Sequence, residues 1–265
     1  MTTFRDALAR AEAPLVGLWN ASGSAVAAEI MAGSGADLLL VDGEHGPISI
    51  SEMLPILQAA AAYPVTTIVR VPWNDPVIIK QVLDLGAENV LVPMVSTADD
   101  ARAAVRAARY PGGDGEREGA RGIGSALARS SRWGRIPGYV RGADAHVSVT
   151  VQIETSEGVA NAAEIAAVDG VDGVFVGPAD LAGSMGLPGR PSEPAVVAAV
   201  DATIDAVRSA GTPVGVNTFA EADADRCIAR GASFVFVAAD VTLMARGSEA
   251  AVARLKRTRD ETDAY

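Results

Sequence analysis

Short, continuous apolar runs alternate with amphipathic stretches along the whole chain. The runs are five to eight residues long and rich in β-branched residues, which is typical of buried parallel strands. The predicted strands cover residues 15–19, 36–42, 65–70, 89–95, 147–154, 173–177, 213–217 and 232–238. Helical periodicity predicts helices near residues 22–34, 50–62, 75–86, 97–109, 156–168, 193–210, 220–230 and 241–257.

This alternation amounts to eight βα units, which indicates an α/β protein with a parallel sheet. Eight units in 265 residues predict a (β/α)8 TIM barrel that forms a single domain over residues 1–265. A doubly wound sheet is the alternative, but its glycine fingerprint is missing, since Gly33-Ser-Gly35 lacks the third glycine. In a barrel, the active site lies where the strands end.

Composition narrows the possible partners. The net charge of −11 argues against nucleic acid, whose binding depends on Lys and Arg. No apolar stretch approaches the roughly 20 residues of a membrane span, and the N-terminus lacks the apolar core of a signal peptide. We therefore expect a soluble, cytoplasmic protein. The single cysteine, Cys227, excludes an internal disulfide and a cysteine-cluster metal site, and its helical context predicts burial.

Acidic residues follow two neighbouring predicted strands. Gln152-Ile153-Glu154 ends one strand, and Gly177-Pro178-Ala179-Asp180 follows the next. A carboxylate at the end of a buried strand is costly unless it is paired or holds a metal. Together these residues predict an oxygen-ligand site for a hard divalent cation. Either acid alone has another interpretation, as an ion-paired barrel residue or a helix N-cap.

Two further strand ends supply a base and a cation. The second predicted strand runs into Asp42-Gly43-Glu44-His45, in which either acid could hydrogen-bond the imidazole and raise its basicity. The third strand ends in Arg70, whose position suits the stabilisation of an oxyanion. The only other histidine, His146, is predicted to lie on the surface.

The residue types and motifs of the chain exclude several kinds of catalytic mechanism. The two lysines, Lys80 and Lys256, lie in helical patterns, so a Schiff-base mechanism is disfavoured. Two histidines are too few for a histidine-rich zinc site, and neither a Gly-x-Ser-x-Gly elbow nor a phosphate-binding loop is present. What remains is a carboxylate-held metal with one histidine and one arginine.

The chain resembles the HpcH/HpaI aldolases, a family of class II, pyruvate-specific aldolases. The similar segments run through almost the whole chain. They are residues 17–19, 40–45, 69–75, 92–95, 121–129, 151–155 and 174–180.

The resemblance implies roles for individual residues. Glu154 and Asp180 would ligate Mg²⁺, Mn²⁺ or Co²⁺. Arg70 would stabilise an enolate, and His45 would act as the general base. Asp84 would support His45 from a neighbouring subunit. The pyruvate moiety would contact a further set of residues, namely Gln152, Gly177, Pro178, Ala179 and Asp180, besides Arg70.

The resemblance also implies the reaction and the assembly. A 4-hydroxy-2-oxo acid such as 4-hydroxy-2-oxoheptanedioate would be cleaved reversibly to pyruvate and an aldehyde, a step of aromatic catabolism. The family is typically a hexamer, a trimer of dimers that exchange C-terminal helices, so residues 241–265 would serve assembly. The segment 110–141 would help to close the site. Its arginines would receive an acidic aldehyde or serve subunit contacts; they are Arg117, Arg121, Arg129, Arg132 and Arg135.

Two alternatives remain open at this point. A CoA-ester lyase of the citrate-lyase β-subunit type shares the barrel and the acid pair, although the histidine in 42–45 favours the aldolase. A non-catalytic barrel is the other alternative. The acceptor aldehyde is not determined by the sequence, because residues 20–22 and 217–218, which shape the aldehyde end of the pocket, have no confident match in the family. The stereochemistry is not determined either, nor is the metal, because Mg²⁺, Mn²⁺ and Co²⁺ share hard oxygen ligands.

Overall fold

The fold is built around a closed ring of parallel strands. The computed structural model describes residues 3–112 and 118–262, with the backbone alone from 257 onwards. In these residues eight strands pair in chain order, and β8 pairs with β1 to close the ring. The strands are β1 (Leu15–Asn20), β2 (Leu38–Asp42), β3 (Thr66–Arg70), β4 (Asn89–Val92), β5 (Ser148–Ile153), β6 (Gly173–Val176), β7 (Val214–Asn217) and β8 (Phe234–Ala239). The predicted TIM barrel is confirmed.

The helices connect successive strands on the outside of the ring. All eight predicted helical regions contain a helix, and three helices were not predicted, α1 at the start, the four-residue α6 and α9 directly after β6. The helices are α1 (Phe4–Arg10), α2 (Ala25–Ala32), α3 (Ile50–Ala60), α4 (Pro76–Asp84), α5 (Ala98–Ala108), α6 (Tyr139–Gly142), α7 (Ser156–Ala160), α8 (Ala162–Ala166), α9 (Pro178–Ser184), α10 (Pro194–Ser209), α11 (Glu221–Arg230) and α12 (Asp240–Thr262). Three short 3-10 helices and α6 lie in the segment 110–141 and just after it.

Two differences from the predicted elements have local causes. The helix expected over 156–168 is broken at Asn161, whose backbone leaves the helical region and whose side chain donates to the Ser96 carbonyl oxygen at 2.8 Å. Strand β4 ends at Val92, short of the predicted residue 95. Two residues later Met94 has a φ of 57°, a left-handed conformation that does not fit an extended strand.

Alternate strand residues fill the inside of the barrel, with aromatic rings as the main contents. Phe4 of α1 reaches in at one end, 5.0 Å from the ring of Phe234, and is completely buried. Phe175 and Phe236 lie further along, in edge-to-face contact at 5.6 Å. Gly215 provides the room for this packing, because a Cβ at that position would overlap the ring of Phe234. The interior is therefore a packed core up to the ends of the strands.

Helix α12 follows β8 and leaves apolar side chains uncovered within this chain. Its first residue, Asp240, is buried and accepts hydrogen bonds from the β1–α2 loop, including one at 2.9 Å from Asn20 Nδ2. The exposed apolar side chains of the helix are Val241, Leu243, Met244, Val252 and Leu255. Across residues 3–112 and 118–262, no helix combines the length and the apolar character that crossing a bilayer requires.

Candidate active site

At the ends of β2 and β3, a carboxylate and a guanidinium lie in direct contact. Asp42 and Arg70 occupy paired positions of the two strands and are 4% and 6% exposed. Asp42 Oδ1 accepts from Arg70 Nε at 2.9 Å and lies 2.8 Å from a terminal guanidinium nitrogen. The other terminal nitrogen lies 2.9 Å from Glu44 Oε2. Among the described residues, the hydrogen bond of Arg70 uses its Nε–H group, so the terminal N–H groups of the guanidinium can still donate to a substrate oxygen.

The ends of β5 and β6 place a second acid beside an amide. Glu154, 1% exposed, accepts at Oε1 from the backbone N–H of Met94 at 2.7 Å, and at Oε2 from Gln152 Nε2. The left-handed conformation of Met94 directs its N–H towards this carboxylate. Across the pair of strands, Gly177 leaves the carboxylate open, since a Cβ there would lie 2.8 Å from Glu154 Oε2. The site therefore requires a glycine at the end of β6.

The carboxylates of this end of the barrel disfavour one another's ionisation. The pKa of Glu154 is raised to about 7, chiefly by burial. The hydrogen bonds from Met94 and Gln152 oppose this rise, and the nearby charges of Glu44 and Asp180 add to it. Burial likewise raises the pKa of Glu44, opposed by Arg70 and reinforced by Asp42 and Asp180. A bound cation would relieve this repulsion.

Asp180 lies in the first turn of α9 and its side chain is exposed to the mouth of the barrel. The N-cap of this helix is Gly177, so Asp180 is not the cap that one interpretation of the sequence proposed. Of the neighbouring positions in the same turn, Pro178 is half-buried and Ala179 is exposed. Residues 177–180 thus form the rim beside Glu154.

The donor set fits a hard divalent cation that is only partly enclosed by protein. Glu154 and Asp180 provide carboxylate oxygens, and the buried Gln152 Oε1 has no hydrogen-bond partner among the described residues. Residues 3–112 and 118–256 contain no group of three or more His, Cys, Asp or Glu side chains arranged to hold a metal. Mg²⁺ is commonly bound by one or two carboxylates, with water and substrate as the other ligands, so two acids suffice.

His45 stands at the solvent side of this cluster. Its side chain is 63% exposed, and Nε2 lies 4.0 Å from Glu44 Oε2. Asp42, the other acid suggested as its partner, instead accepts the backbone N–H groups of Glu44 and His45 at 3.1 and 3.2 Å. Asp42 therefore holds the loop that carries His45, and it also accepts a hydrogen bond from Arg70.

Asp84 lies away from the strand ends, at the last residue of α4. Its Oδ1 accepts from Arg121 at 2.7 Å, and the Arg121 side chain is fully buried with its guanidinium 4.4 Å from the ring centroid of Tyr110. Among the residues that the structure describes, its hydrogen bonds and ion pairs do not include His45. A role beside His45 would have to come from another subunit, as the resemblance implies.

Two other arginines of the segment 110–141 make contacts within the chain. Arg129 donates to the Leu85 carbonyl oxygen at 3.0 Å, and Arg135 lies 5.9 Å from the ring centroid of Trp133. Arg132 adopts a left-handed conformation after a 3-10 helix. Arg117 lies outside the described residues.

The sequence assigned no definite role in the site to two further residues, Trp19 and Asn217. The indole of Trp19 lies over Arg70, with the guanidinium carbon 4.5 Å from the ring centroid. Asn217, at the end of β7, accepts the Trp19 indole N–H at 3.0 Å. Trp19 and Asn217 both end predicted strands, which is the signal that would have placed them here. The sequence left open whether Trp19 lines the pocket or packs in the core.

Comparison with known proteins identifies the relatives of this chain. The profile of the family described as HpcH/HpaI aldolase/citrate lyase matches residues 15–247. A protein of Salmonella arizonae named 4-hydroxy-2-oxo-heptane-1,7-dioate aldolase is 52% identical over 251 residues, which cover 95% of this chain and 93% of that protein.

Two solved structures extend the comparison to three dimensions. The first is a HpcH/HpaI aldolase/citrate lyase family protein from Burkholderia cenocepacia J2315, with 37% identity and a TM-score of 0.90 over 95% of this chain and 98% of that one. The second, the citrate synthase SbnG, has 26% identity and a TM-score of 0.84 over 97% and 99% of the two chains.

Proposed function

This chain belongs to the HpcH/HpaI aldolase/citrate lyase family, and on that premise we propose that it is a divalent-metal-dependent aldolase. Its substrates would be 4-hydroxy-2-oxo acids of the 4-hydroxy-2-oxoheptanedioate type, cleaved reversibly to pyruvate and an aldehyde. The observation that supports this most strongly is the meeting of Arg70, Glu44, Glu154 and Asp180 at one end of the barrel. The 52% identity to an aldolase of that name supports the substrate class.

Glu154 and Asp180 would hold the metal, with Gln152 Oε1 and the rim at residues 177–179 beside the bound 2-oxo acid. When bound, a divalent cation supplies Lewis-acid polarisation of the 2-oxo acid and a fixed template for it. The roles of the metal ligands and of the residues below are part of the proposal.

His45 would take the proton from the 4-hydroxyl group, directly or through water, because its exposed ring stands at the open side of the cluster. The electron pair of that O–H bond then forms the aldehyde carbonyl, and the C3–C4 bond breaks. Its electrons pass into the three-carbon fragment as an enolate. Protonation of this enolate at C3 yields pyruvate, so atoms and charge balance.

Arg70 would stabilise the oxyanions of this sequence. Its guanidinium is held by Asp42 and Glu44 along two edges, and the remaining N–H groups can donate to the enolate oxygen. Because the surroundings are largely buried, this fixed positive charge is worth more than it would be in water. Asp42 contributes by holding both Arg70 and the His45 loop.

Release of pyruvate tests the proposed reaction. Chelator-stripped protein would be supplied with 4-hydroxy-2-oxoheptanedioate, and Mg²⁺, Mn²⁺ or Co²⁺ would be restored in turn, with pyruvate read by a lactate dehydrogenase couple. We expect release that requires metal and that Arg70→Leu and Glu154→Gln abolish. Failure to release pyruvate from this and from shorter 4-hydroxy-2-oxo acids would contradict the proposal, and cleavage of a 3-hydroxyacyl-CoA ester instead would replace it by the CoA-ester lyase.

We also propose the hexameric assembly, a trimer of dimers, for this chain. The five exposed apolar side chains of α12 support an assembly role for that helix, because they have no cover within one copy. Analytical ultracentrifugation measures the mass directly. A monomer at micromolar concentration would contradict the assembly, and a hexamer that survives replacement of Leu243 and Met244 by Gln would contradict the role of α12.

A further inference from the structure

Trp19 is enclosed on several sides at the top of the barrel interior. Its side chain is 5% exposed, and the rings of Phe175 and Phe236 lie 6.0 and 5.6 Å from its centroid. The guanidinium carbon of Arg70 lies over the ring at 4.5 Å. Since Asp42 and Glu44 hold Arg70 along its edges, the indole supplies the flat surface that holds it in the remaining direction.

Asn217 faces the same interior space. Strand residues two apart point to the same side, and the missing Cβ of Gly215 faces the ring of Phe234 inside the barrel. Asn217, two positions later at the end of β7, therefore points inward one layer higher. Its amide meets an indole that lies 198 residues away in the sequence.

The hydrogen bond between them has only one possible direction. The indole nitrogen is a donor with no acceptor capacity, so the atom 3.0 Å away must be the amide oxygen of Asn217. An indole N–H buried without an acceptor costs free energy, so the ring without Asn217 would turn towards another acceptor. Such a turn would carry its face away from Arg70.

We propose that Asn217 is a positioning residue that fixes the indole of Trp19 against Arg70 and thereby sets the orientation of the guanidinium towards the enolate. This inference rests on the proposed function, in which Arg70 stabilises that enolate. Asn217 acts through Trp19, and its contribution disappears when the indole N–H is absent.

The effect of Asn217 on enolate formation can be measured by the exchange of the methyl protons of pyruvate for deuterium in D₂O. NMR follows this exchange in the presence of saturating Mg²⁺ that contains no Mn²⁺. Exchange needs only enolate formation and no aldehyde. We expect Asn217→Leu to slow exchange by about three- to tenfold, the scale of one neutral hydrogen bond. The same loss is expected for Trp19→Phe, which keeps an aromatic ring but removes the donor.

A double-mutant cycle distinguishes action through Trp19 from an independent role. If Asn217 acts through the indole, then adding Asn217→Leu to Trp19→Phe produces no further loss of exchange. Multiplication of the two single losses in the double variant would overturn the proposal. Asn217→Asp, which retains an acceptor oxygen of the same shape, is expected to exchange faster than Asn217→Leu, and an equal loss would also overturn it.

A spectroscopic measurement tests the positioning without any catalysis. Trp73 and Trp133 are exposed, so Trp73→Phe with Trp133→Phe leaves Trp19 as the sole tryptophan of the chain. In that background we expect Asn217→Leu to shift the indole absorption band to the blue, as loss of its hydrogen bond requires, and Asn217→Asp to leave it in place. An unshifted band in Asn217→Leu would overturn the proposal even if the exchange of pyruvate protons were slowed in that variant.

The two parts also separate this inference from the proposed function. Wild-type protein that does not exchange pyruvate protons with any of the three metals would remove the enolate role on which the inference depends. Wild-type protein that exchanges, together with unchanged exchange in Asn217→Leu, would leave the aldolase intact and overturn the positioning role alone. Thermal unfolding of each variant establishes that the fold is retained.

Discussion

Glu154→Gln changes the charge of the proposed metal site while keeping its shape. Burial and the neighbouring acids raise the pKa of Glu154 to about 7 from a reference of 4.5 in the metal-free protein. Glutamine cannot ionise. In the wild type, Gln152 Oε1 lacks a hydrogen-bond partner among the described residues. If the Gln152 amide rotates by half a turn, the side-chain amide nitrogen of the new glutamine can donate to this oxygen. The substitution therefore removes an ionisation that the metal-free fold disfavours.

The size of the effect follows from the pKa difference. Between pH 4.5 and 7 the unfolded chain loses the Glu154 proton while the folded protein keeps it, so the folded state binds more protons and its stability falls as pH rises. The loss is complete above pH 7. At about 1.4 kcal/mol per pKa unit it amounts to about 3 kcal/mol. Below pH 4.5 both states are protonated and this stability is fully present.

Urea unfolding in the presence of a chelator measures this difference. We expect metal-free Glu154→Gln to exceed metal-free wild type by about 2 to 3 kcal/mol at pH 8 and by less than about 1 kcal/mol at pH 5. Addition of Mg²⁺ should then stabilise wild type and leave the variant unchanged. Glu12→Gln, at an exposed position after α1, is the matched control and should change neither value.

Equal stabilities at both pH values would refute the reasoning, because they would mean that Glu154 ionises without penalty. A wild type more stable than the variant at pH 8 without metal would refute it more strongly. In that case the Glu154 carboxylate would already have a cationic partner within the protein. The inference that the acids of this site are stabilised by a bound metal ion would then be wrong.

Three further predictions concern other parts of the molecule. His45→Ala should lower turnover by about 10²- to 10⁴-fold with metal saturating and leave the unfolding midpoint unchanged, because the side chain is exposed; wild-type turnover would exclude it as the base. Gly215→Ala should destabilise the fold by about 1 to 3 kcal/mol, because the added Cβ overlaps with Phe234. Gly183→Ala is the control, since its Cβ would meet nothing within 4 Å. Equal unfolding temperatures of the two variants in calorimetry would contradict the packing. Asp240→Ala should cost about 2 to 4 kcal/mol in urea unfolding, because the buried amide of Asn20 and the part-buried donors of Ala21 and Ser22 lose their acceptor. A loss under about 0.5 kcal/mol would contradict that reasoning.

Much of the barrel was predictable because its strands are buried on both faces. Each strand is then a continuous apolar run, and β2, with the sequence Leu-Leu-Leu-Val-Asp, is the clearest case. The positions of Glu154 and Arg70 were predictable for a related reason, since a charged residue that closes such a run has to lie at the end of a strand. His45 follows the end of β2 by three residues. The resemblance to known aldolases assigned their roles.

Contacts across the barrel were not predictable. The period of a strand shows which side chains point inward, but it does not show which of the inward residues meet. Trp19 and Asn217 belong to strands that are neighbours only by way of β8. Asp42 was equally ambiguous, since a carboxylate two residues before Glu44 could bind the ring of His45 or Arg70, and the strand register decided for Arg70.

Two of the three helices that were not predicted, α1 and α9, have sequence signals that are short. Helix α1 has seven residues and its one fully buried side chain is Phe4, too little for a periodic pattern. Helix α9 also has seven residues and begins with Pro178-Ala179-Asp180, directly after a predicted strand and outside the predicted helices. Proline at the first helical position was the signal that could have identified it.

The pairing of β1 with β8 has a consequence for how the protein is made. Strand β1 emerges early in synthesis, yet its second neighbour begins only at Phe234, and Asp240 fastens the loop after β1. At typical elongation rates the ribosome needs roughly 10 to 40 s to span that distance. Throughout this time one edge of β1 lacks its hydrogen-bonding partner β8, and Trp19 lacks its contact with Phe236. The nascent chain therefore exposes an unpaired strand edge until β8 has been synthesised. Chaperones that recognise such edges during translation would have their longest opportunity at the N-terminal strand of this barrel.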